Sequence, residues 1–508
     1  MTSANLYDRL IGDNPDASRI AIETADGKRW SFADIATQSA QMANLLVARG
    51  VKPGDRVAVQ VEKSVENLIF YLATVRAGAV YLPLNTAYTL NELAYFLGDA
   101  EPALVVCDPA PREGVAALVK DKGATVETLD ATGTGSLTKA AADEPATFAT
   151  VRRTGDDLAA ILYTSGTTGR SKGAMLTHDN LFSNADTLVE AWRFTADDVL
   201  IHALPIYHTH GLFVASNVML LARGRMIFLP RFNADAVLGL MPRATSMMGV
   251  PTFYVRLVQH AGLTRDATAG MRLFTSGSAP LLAETHREFE AKTGHAILER
   301  YGMTETNMST SNPYDGARVP GTVGPPLPGV SARVVDPETG MELATDEIGM
   351  IEVQGPNVFK GYWRMPDKTA AEFRPDGFFI TGDLGKIDGN GYVHIIGRGK
   401  DLIITGGFNV YPKEVEGEID MIPGVFESAV IGVAHADFGE GVTAVVVREP
   451  GASVDEAAVL DALADRLARF KQPKRVLFVD ELPRNTMGKV QKNTLRERYA
   501  DLYRQHAT

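Results

Sequence analysis

After Ser31-Phe32-Ala33-Asp34, apolar residues recur at Ile35, Met42, Leu45 and Leu46, with the small Ser39 on the same stripe. That spacing predicts an amphipathic helix. Ser31 and Asp34 stand three apart, as a capping box requires, and Gly50 supplies the stop. Shorter, largely apolar runs follow at 57–61, 79–82 and 103–107, which predict buried strands. Helical spacing separates them at 67–77 and 90–97. Strands alternating with helices predict parallel sheets covered by helices. The alternation resumes near Leu158 and again through 245–300, while 132–150, rich in Ala, Thr and Gly, reads as a surface connection.

Beyond about residue 320 the pattern changes. Pro320, Gly321, Gly324, Pro325, Pro326, Pro328 and Gly329 crowd together, and short β-rich runs follow at 330–335 and 349–353. A small β-rich subdomain is expected over about 320–396, then a charged joint at Gly397-Arg398-Gly399-Lys400-Asp401. An α+β module of about a hundred residues follows, with strands at 428–433 and 443–447 and a helix at 454–467. The domain boundary is expected at Lys400, giving 1–399 and 400–508.

Composition narrows the partners. The 508 residues carry 50 Lys plus Arg against 62 Asp plus Glu, a net charge of −12, which disfavours nucleic acid and anionic membranes. Cys107 is the single cysteine, so neither an internal disulfide nor a cysteine-rich zinc site is available. Its setting among Leu104, Val105 and Val106 predicts inert core packing. The longest apolar stretches, 68–84 and 200–221, are interrupted by Arg76 and by histidines. No transmembrane span or targeting signal is read, and a cytoplasmic protein is expected.

The strongest chemical signal is Tyr163-Thr164-Ser165-Gly166-Thr167-Thr168-Gly169-Arg170-Ser171-Lys172-Gly173, placed after an apolar strand. From Ser165 to Gly173, seven of nine residues are Gly, Ser or Thr, so backbone N–H groups and hydroxyls are free to face phosphate oxygens beside the Lys172 cation. Ser171 occupies the position where a Walker A loop needs glycine. A bare run of this kind is as readily a flexible hairpin. The string, however, resembles the phosphate loop of the adenylate-forming enzymes, which include the AMP-forming acyl-CoA synthetases. Further matches follow in that family's order: Leu204-Pro205-Ile206-Tyr207-His208-Thr209-His210-Gly211, Ser276-Gly277-Ser278-Ala279-Pro280-Leu281, Glu299-Arg300-Tyr301-Gly302-Met303-Thr304-Glu305, Phe379-Ile380-Thr381-Gly382-Asp383, Ile396-Gly397-Arg398-Gly399-Lys400-Asp401 and Pro483-Arg484-Asn485-Thr486-Met487-Gly488-Lys489. The resemblance covers essentially the whole chain.

It implies an α/β fold: a large N-terminal domain of α/β subdomains with the β-rich subdomain, and a mobile C-terminal α+β domain hinged at Lys400. It also implies two reactions, formation of an acyl-adenylate from ATP and an acid, then transfer of the acyl group to CoA. Thr164, Ser165, Gly166, Thr167, Thr168, Gly169 and Lys172 would hold the phosphates. Ser278, Ala279, Pro280, Glu299, Arg300, Tyr301 and Gly302 would frame the adenine. Thr304 would touch phosphate, Asp383 the ribose hydroxyls, and Arg398 the ribose and phosphates. Glu305 and Thr167 would hold Mg2+. Taken singly, Thr304-Glu305 is more often a helix cap and Gly382-Asp383 a turn.

Lys489 is implied as the catalytic ammonium that bridges the acid and the α-phosphate, and as a target of lysine acetyltransferase and deacetylase enzymes. Gly406, Gly407 and Phe408 would form the face that receives CoA. His208 is implied beside the acid, with Ser276. Two histidines at His208 and His210 also have metal-ligand spacing, but no acidic or cysteine partner clusters with them in sequence.

The family's acid-binding helix corresponds to Val250-Pro251-Thr252-Phe253-Tyr254-Val255-Arg256. Phe253 and Arg256 are three apart and share a face. A cation there suits a dicarboxylic acid, whose second carboxylate needs a partner once buried. Arg256 on such a helix is otherwise a solvated side chain. The resemblance is closest to family members acting on malonate, so malonate is the expected substrate, with methylmalonate as a second. Another short carboxylic acid is the alternative. A carrier-loading adenylation domain is less expected, since only residues 490–508 follow Lys489. A catalytically dead nucleotide sensor does not fit the joint presence of Lys172, Glu305, Asp383, Arg398 and Lys489.

Overall fold

The computed structural model describes residues 3–12, 16–164, 171–406, 408–435, 437–464, 466–485 and 488–503. Contacts divide the chain into two units, one of residues 1–331 and 353–379, the other of 332–352 and 380–508.

The first unit contains two large sheets. In the seven-stranded sheet the spatial order is Gly361–Tyr362, Lys172–Thr177, Leu158–Thr164, Val80–Pro83, Arg56–Gln60, Leu104–Cys107, Thr125–Thr128. Its strands from Leu158–Thr164 to Thr125–Thr128 run parallel. The eight-stranded sheet runs Asn307–Ser311, Leu298–Met303, Leu273–Ser276, Ser246–Gly249, Val199–His202, Arg225–Phe228, Ile20–Thr24, Arg29–Ser31. Its six inner strands are parallel, and an antiparallel partner closes each edge.

The helix Phe32–Ala48 forms as its spacing predicts. The Ser31–Asp34 capping box is present, and Ile35, Ser39, Met42, Leu45 and Leu46 are buried. The expected connection at 132–150 contains a further helix, Ser136–Ala142, which buries Leu137 and Ala141 and packs on Phe32–Ala48. Its few apolar positions hid it among small residues, and tertiary packing supplies the stability that propensity does not. Cys107 is buried at a strand end, and burial raises its thiol to about 11, in keeping with core packing.

The second unit has a four-stranded sheet, ordered Ser331–Val335, Gly349–Gln354, Phe379–Ile387, Val393–Arg398. It also has a five-stranded sheet. There the long hairpin Val425–His435 and Gly439–Arg448 is flanked by Arg475–Val479 and by the pair Ile403–Thr405 and Phe408–Val410. Both hairpin strands extend well past the apolar runs that announced them, while the helix expected at 454–467 is shorter, Glu456–Leu463. Ile403, Val430, Val442, Val446, Val459 and Leu463 share one core of this unit. Among the described residues, no helix is long and apolar enough to cross a membrane.

Candidate active site

In the first unit, candidate residues gather beyond the carboxyl ends of parallel strands, where open α/β sheets bind ligands. The strand Val199–His202 leads into a turn that carries His208 and ends at His210, the first residue of a π-helix, His210–Ser216. The strand Leu273–Ser276 leads into Gly277 and Ser278, and Ser278 has φ +73°, a left-handed backbone rarely taken by a serine. Ser278 Oγ lies 3.2 Å from His210 Nδ1.

Arg300, on the strand Leu298–Met303, is 2% exposed. Its guanidinium lies against Gly277, where an added Cβ would stand 2.3 Å from Nη1, so any side chain there would displace the guanidinium. Nε, Nη1 and Nη2 of Arg300 have no hydrogen-bond partner among the described residues. Neither do Ser276 Oγ, His208 Nε2 and His210 Nε2. Burial pushes Arg300 down to about 9, which still leaves it charged at neutral pH. The same desolvation pulls His208 down to about 4, and burial followed by the Arg300 charge lowers His210 further. His210 is therefore a neutral imidazole beside an unpaired buried cation. A buried charge without a partner is costly, and an anionic ligand would relieve it.

A small pocket joins His208 and Thr304 with Tyr88, Tyr163 and Tyr207. Thr164 Oγ1 lies 3.5 Å from Glu305 Oε1, and Glu305 is 5% exposed. The Tyr362 hydroxyl lies 3.0 Å from Glu305 and 2.6 Å from Glu372. Lys172 Nζ sits 3.0 Å from Glu372 and 4.1 Å from the centre of the Tyr362 ring. The structure thus brings Thr164, Lys172 and Glu305 together through Tyr362 and Glu372, two residues that belong to none of the motifs. Ser165, Gly166, Thr167, Thr168, Gly169 and Gly407 lie outside the described residues.

Other candidates have structural partners. The Glu299 carboxylate lies 3.1 Å from His286 Nδ1 and accepts the Gly321 N–H. Gly302 has no room for a side chain, because a Cβ would stand 1.7 Å from the Asn307 carbonyl oxygen. Tyr301 and Ala279 are half-buried and Pro280 is exposed. Phe253 stacks on Phe232 at 4.0 Å between ring centres. Arg256 is exposed, and no ion pair or hydrogen bond reaches it among the described residues, in contrast to Arg300.

In the second unit, Asp383 and Arg398 are direct cross-strand partners. Arg398 Nε lies 2.8 Å from Asp383 Oδ1, and Arg398 Nη1 donates to the Thr381 carbonyl at 3.2 Å. Lys489 closes a tight hairpin. Its N–H donates to Asn485 Oδ1 at 2.9 Å, its carbonyl accepts the Asn485 N–H at 2.9 Å, and Gly488 provides φ +75°. The Lys489 residue is exposed, yet surrounding protein and then the Arg398 charge lower its ammonium's pKa. Gly406 takes φ +58° and donates to the Phe438 carbonyl, and the exposed Phe408 stacks on Phe470.

A fold of this kind is that of the AMP-binding enzymes, and the chain belongs to that family. Residues 12–363 match the AMP-binding enzyme family and residues 414–489 match the AMP-binding enzyme C-terminal domain. The chain is 71% identical to ATP-bound MatB from Rhodopseudomonas palustris, with a TM-score of 0.98 over 99% of this chain and 100% of that one. It is 34% identical to a malonate–CoA ligase of Arabidopsis thaliana, over 94% of this chain and 86% of the relative. A feruloyl-CoA synthase of an Amycolatopsis species is 37% identical, over 93% and 94%.

Proposed function

We propose that the chain is a malonate–CoA ligase. A malonate carboxylate oxygen attacks the α-phosphorus of ATP, and pyrophosphate leaves. The CoA thiol then attacks the acyl carbon of malonyl-AMP, the sulfur–carbon bond forms, AMP leaves and the thiol proton is released. The observation that carries the substrate is the Arg300 guanidinium, expected beside the adenine but here assigned to the acid, because it is buried with no hydrogen-bond partner at any of its three nitrogens among the described residues. A monocarboxylic acid consumes its only charge at the phosphorus. Malonate retains a second carboxylate, which a guanidinium binds bidentately. Ser276 and His208 offer uncharged hydrogen-bond partners to the same acid. The MatB structure and the malonate–CoA ligase relative support this reading. Of the two guanidiniums, Arg300 demands an anion and the exposed Arg256 does not. Methylmalonate is a slower substrate in this proposal, because its extra methyl must fit beside the same residues.

Glu305 is a buried carboxylate near Thr164, and magnesium bound to phosphates takes one or two protein carboxylates and completes its shell with phosphate and water. Glu305 therefore fits Mg2+ and would hold it; Thr167, the other expected ligand, lies outside the described residues. When bound, it would neutralise phosphate charge. Lys172 and Thr304 supply further polar contacts to phosphate, and Asp383 accepts from the ribose hydroxyls beside Arg398. Lys489 stabilises the charge that develops as acid and phosphorus join. A rotation at Lys400 between residues 1–399 and 400–508 then exchanges Lys489 for the CoA-receiving face at Gly406, Gly407 and Phe408. Acetylation of the exposed Lys489 by a lysine acetyltransferase would remove its charge and stop adenylation, and a deacetylase would restore it. The setting is cytoplasmic in this proposal.

The decisive experiment is ATP–pyrophosphate exchange with a panel of short mono- and dicarboxylic acids, followed by addition of CoA. Malonate is expected to support the fastest exchange and to yield a thioester. Preference for acetate, benzoate or ferulate would overturn the malonate assignment while leaving the ligase class intact.

A further inference from the structure

Lys63 is 7% exposed, yet no carboxylate pairs with it among the described residues. It lies just beyond the strand Arg56–Gln60 of the seven-stranded sheet. Its Nζ reaches the eight-stranded sheet, 2.9 Å from His202 Nδ1 and 2.8 Å from the His202 carbonyl oxygen. The same nitrogen lies 4.1 Å from the centre of the Phe228 ring, and Phe228 is the register partner of His202 on the adjacent strand. A backbone carbonyl can only accept, so the His202 nitrogen beside one carries the hydrogen, and His202 Nδ1 accepts from Lys63. The imidazole hydrogen is then on Nε2, which lies 2.9 Å from the Gly211 carbonyl oxygen and 3.2 Å from Ser216 Oγ. Ser216 donates to the same carbonyl at 2.9 Å.

Donation thus passes from Lys63 through His202 to Gly211, the residue after His210. Gly211 is pressed against the start of its own turn, since a Cβ there would stand 2.0 Å from the Pro205 carbonyl oxygen. The Leu212 N–H donates to the His208 carbonyl at 3.0 Å and closes the other side. Burying an ammonium with no counter-ion is expensive, and desolvation lowers the Lys63 pKa strongly. Packing alone would be better served by methionine or leucine at that site.

We propose that Lys63 is a positioning residue of the acid pocket: acting through His202, it fixes the segment 208–211, where the π-helix His210–Ser216 begins, and so the two imidazoles that face the acid. It touches neither acid nor nucleotide. The inference rests on the reading that the acid sits beside His208 and Arg300.

The test uses Lys63→Met, Lys63→Arg and the double variant Lys63→Met/His202→Leu in the full-length enzyme. Methionine at 63 leaves His202 unsatisfied and lowers the melting temperature. The double variant removes both partners, Ser216 still serves the Gly211 carbonyl, and stability recovers. The expected result is about a hundredfold loss of kcat/KM for the acid in both, as for a small misplacement of a binding group, with ATP affinity unchanged. Arginine at 63 keeps donors and restores part of the activity. Recovery of acid turnover together with stability in the double variant would overturn the proposal, as would full activity of Lys63→Met. If the unmodified enzyme prefers another acid, the malonate reading fails, and the same variants are measured with that acid.

Discussion

In the first unit Arg300 and Ser276 are buried and His208 is half-buried, each with polar atoms that no described neighbour satisfies. In the second unit, Asp383 is buried but already paired with Arg398, and the exposed Lys489 is fixed through its own backbone hairpin. The first arrangement is tuned to one ligand, because its desolvated donors are costly until a complementary anion arrives. The second is indifferent to the acid's identity, because Asp383 and Arg398 already satisfy each other without it. Selectivity is thus expected to reside in the first unit and rate in the second.

The largest effect that would test this division is at Lys489. Lys489→Ala is expected to reduce malonate-dependent exchange by about a hundred- to a thousandfold, as for loss of a preorganised charge donor. Thioester formation from supplied malonyl-AMP should persist; equal loss in both half-reactions would break the comparison. Next is Arg300→Met, for which exchange with malonate should fall on the order of a hundredfold, since truncating one partner of a buried charged pair costs about 2–5 kcal/mol. ATP affinity should be kept, and Arg256→Met should be close to the unmodified enzyme. A large defect at Arg256 with a small one at Arg300 would reverse the assignment of the acid's partner. A smaller effect is expected from Asp383→Asn, which weakens a charged contact to the ribose and raises the KM for ATP by roughly tenfold; an unchanged KM would remove Asp383 from the nucleotide site.

The two units should also differ in their response to pH. Burial holds His178 and His208 at about 4 in the first unit, below the ordinary value of 6.5. The unfolded chain therefore binds protons that the folded unit does not, so the contribution is complete above about 6.5 and is lost as pH falls toward 4. Asp420 in the second unit is raised to about 7 from 3.8, first by burial. Its folded form holds a proton more tightly, so its contribution is full at low pH and is lost as pH rises through 7. Hydrogen exchange read separately for each unit should show opposite trends between pH 4 and 7; parallel trends would contradict this.

The alternation of helices and strands was legible because each run carried its own period, as the capping box and stripe of Phe32–Ala48 show. The motif residues Asp383 and Arg398 were legible as a string, although their direct pairing depends on strand register. Arg256 and Arg300 show where local reading ends. Both stood in recognisable motifs, but burial is a property of distant segments, here Gly277 against Arg300. Lys63 and His202 are 139 residues apart, and no period or spacing announces such a pair. Tyr362 and Glu372 escaped notice for the same reason, since their chemistry appears only where they meet Lys172 and Glu305.

The buried, high-pKa thiol of Cys107 has a practical consequence. It is the single cysteine of the chain, and it is poorly reactive at neutral pH. The natural protein therefore behaves as a blank background for maleimide chemistry. One exposed cysteine engineered into each unit would accept a donor and an acceptor dye without first stripping native thiols, and the distance between the dyes could be followed through a single turnover.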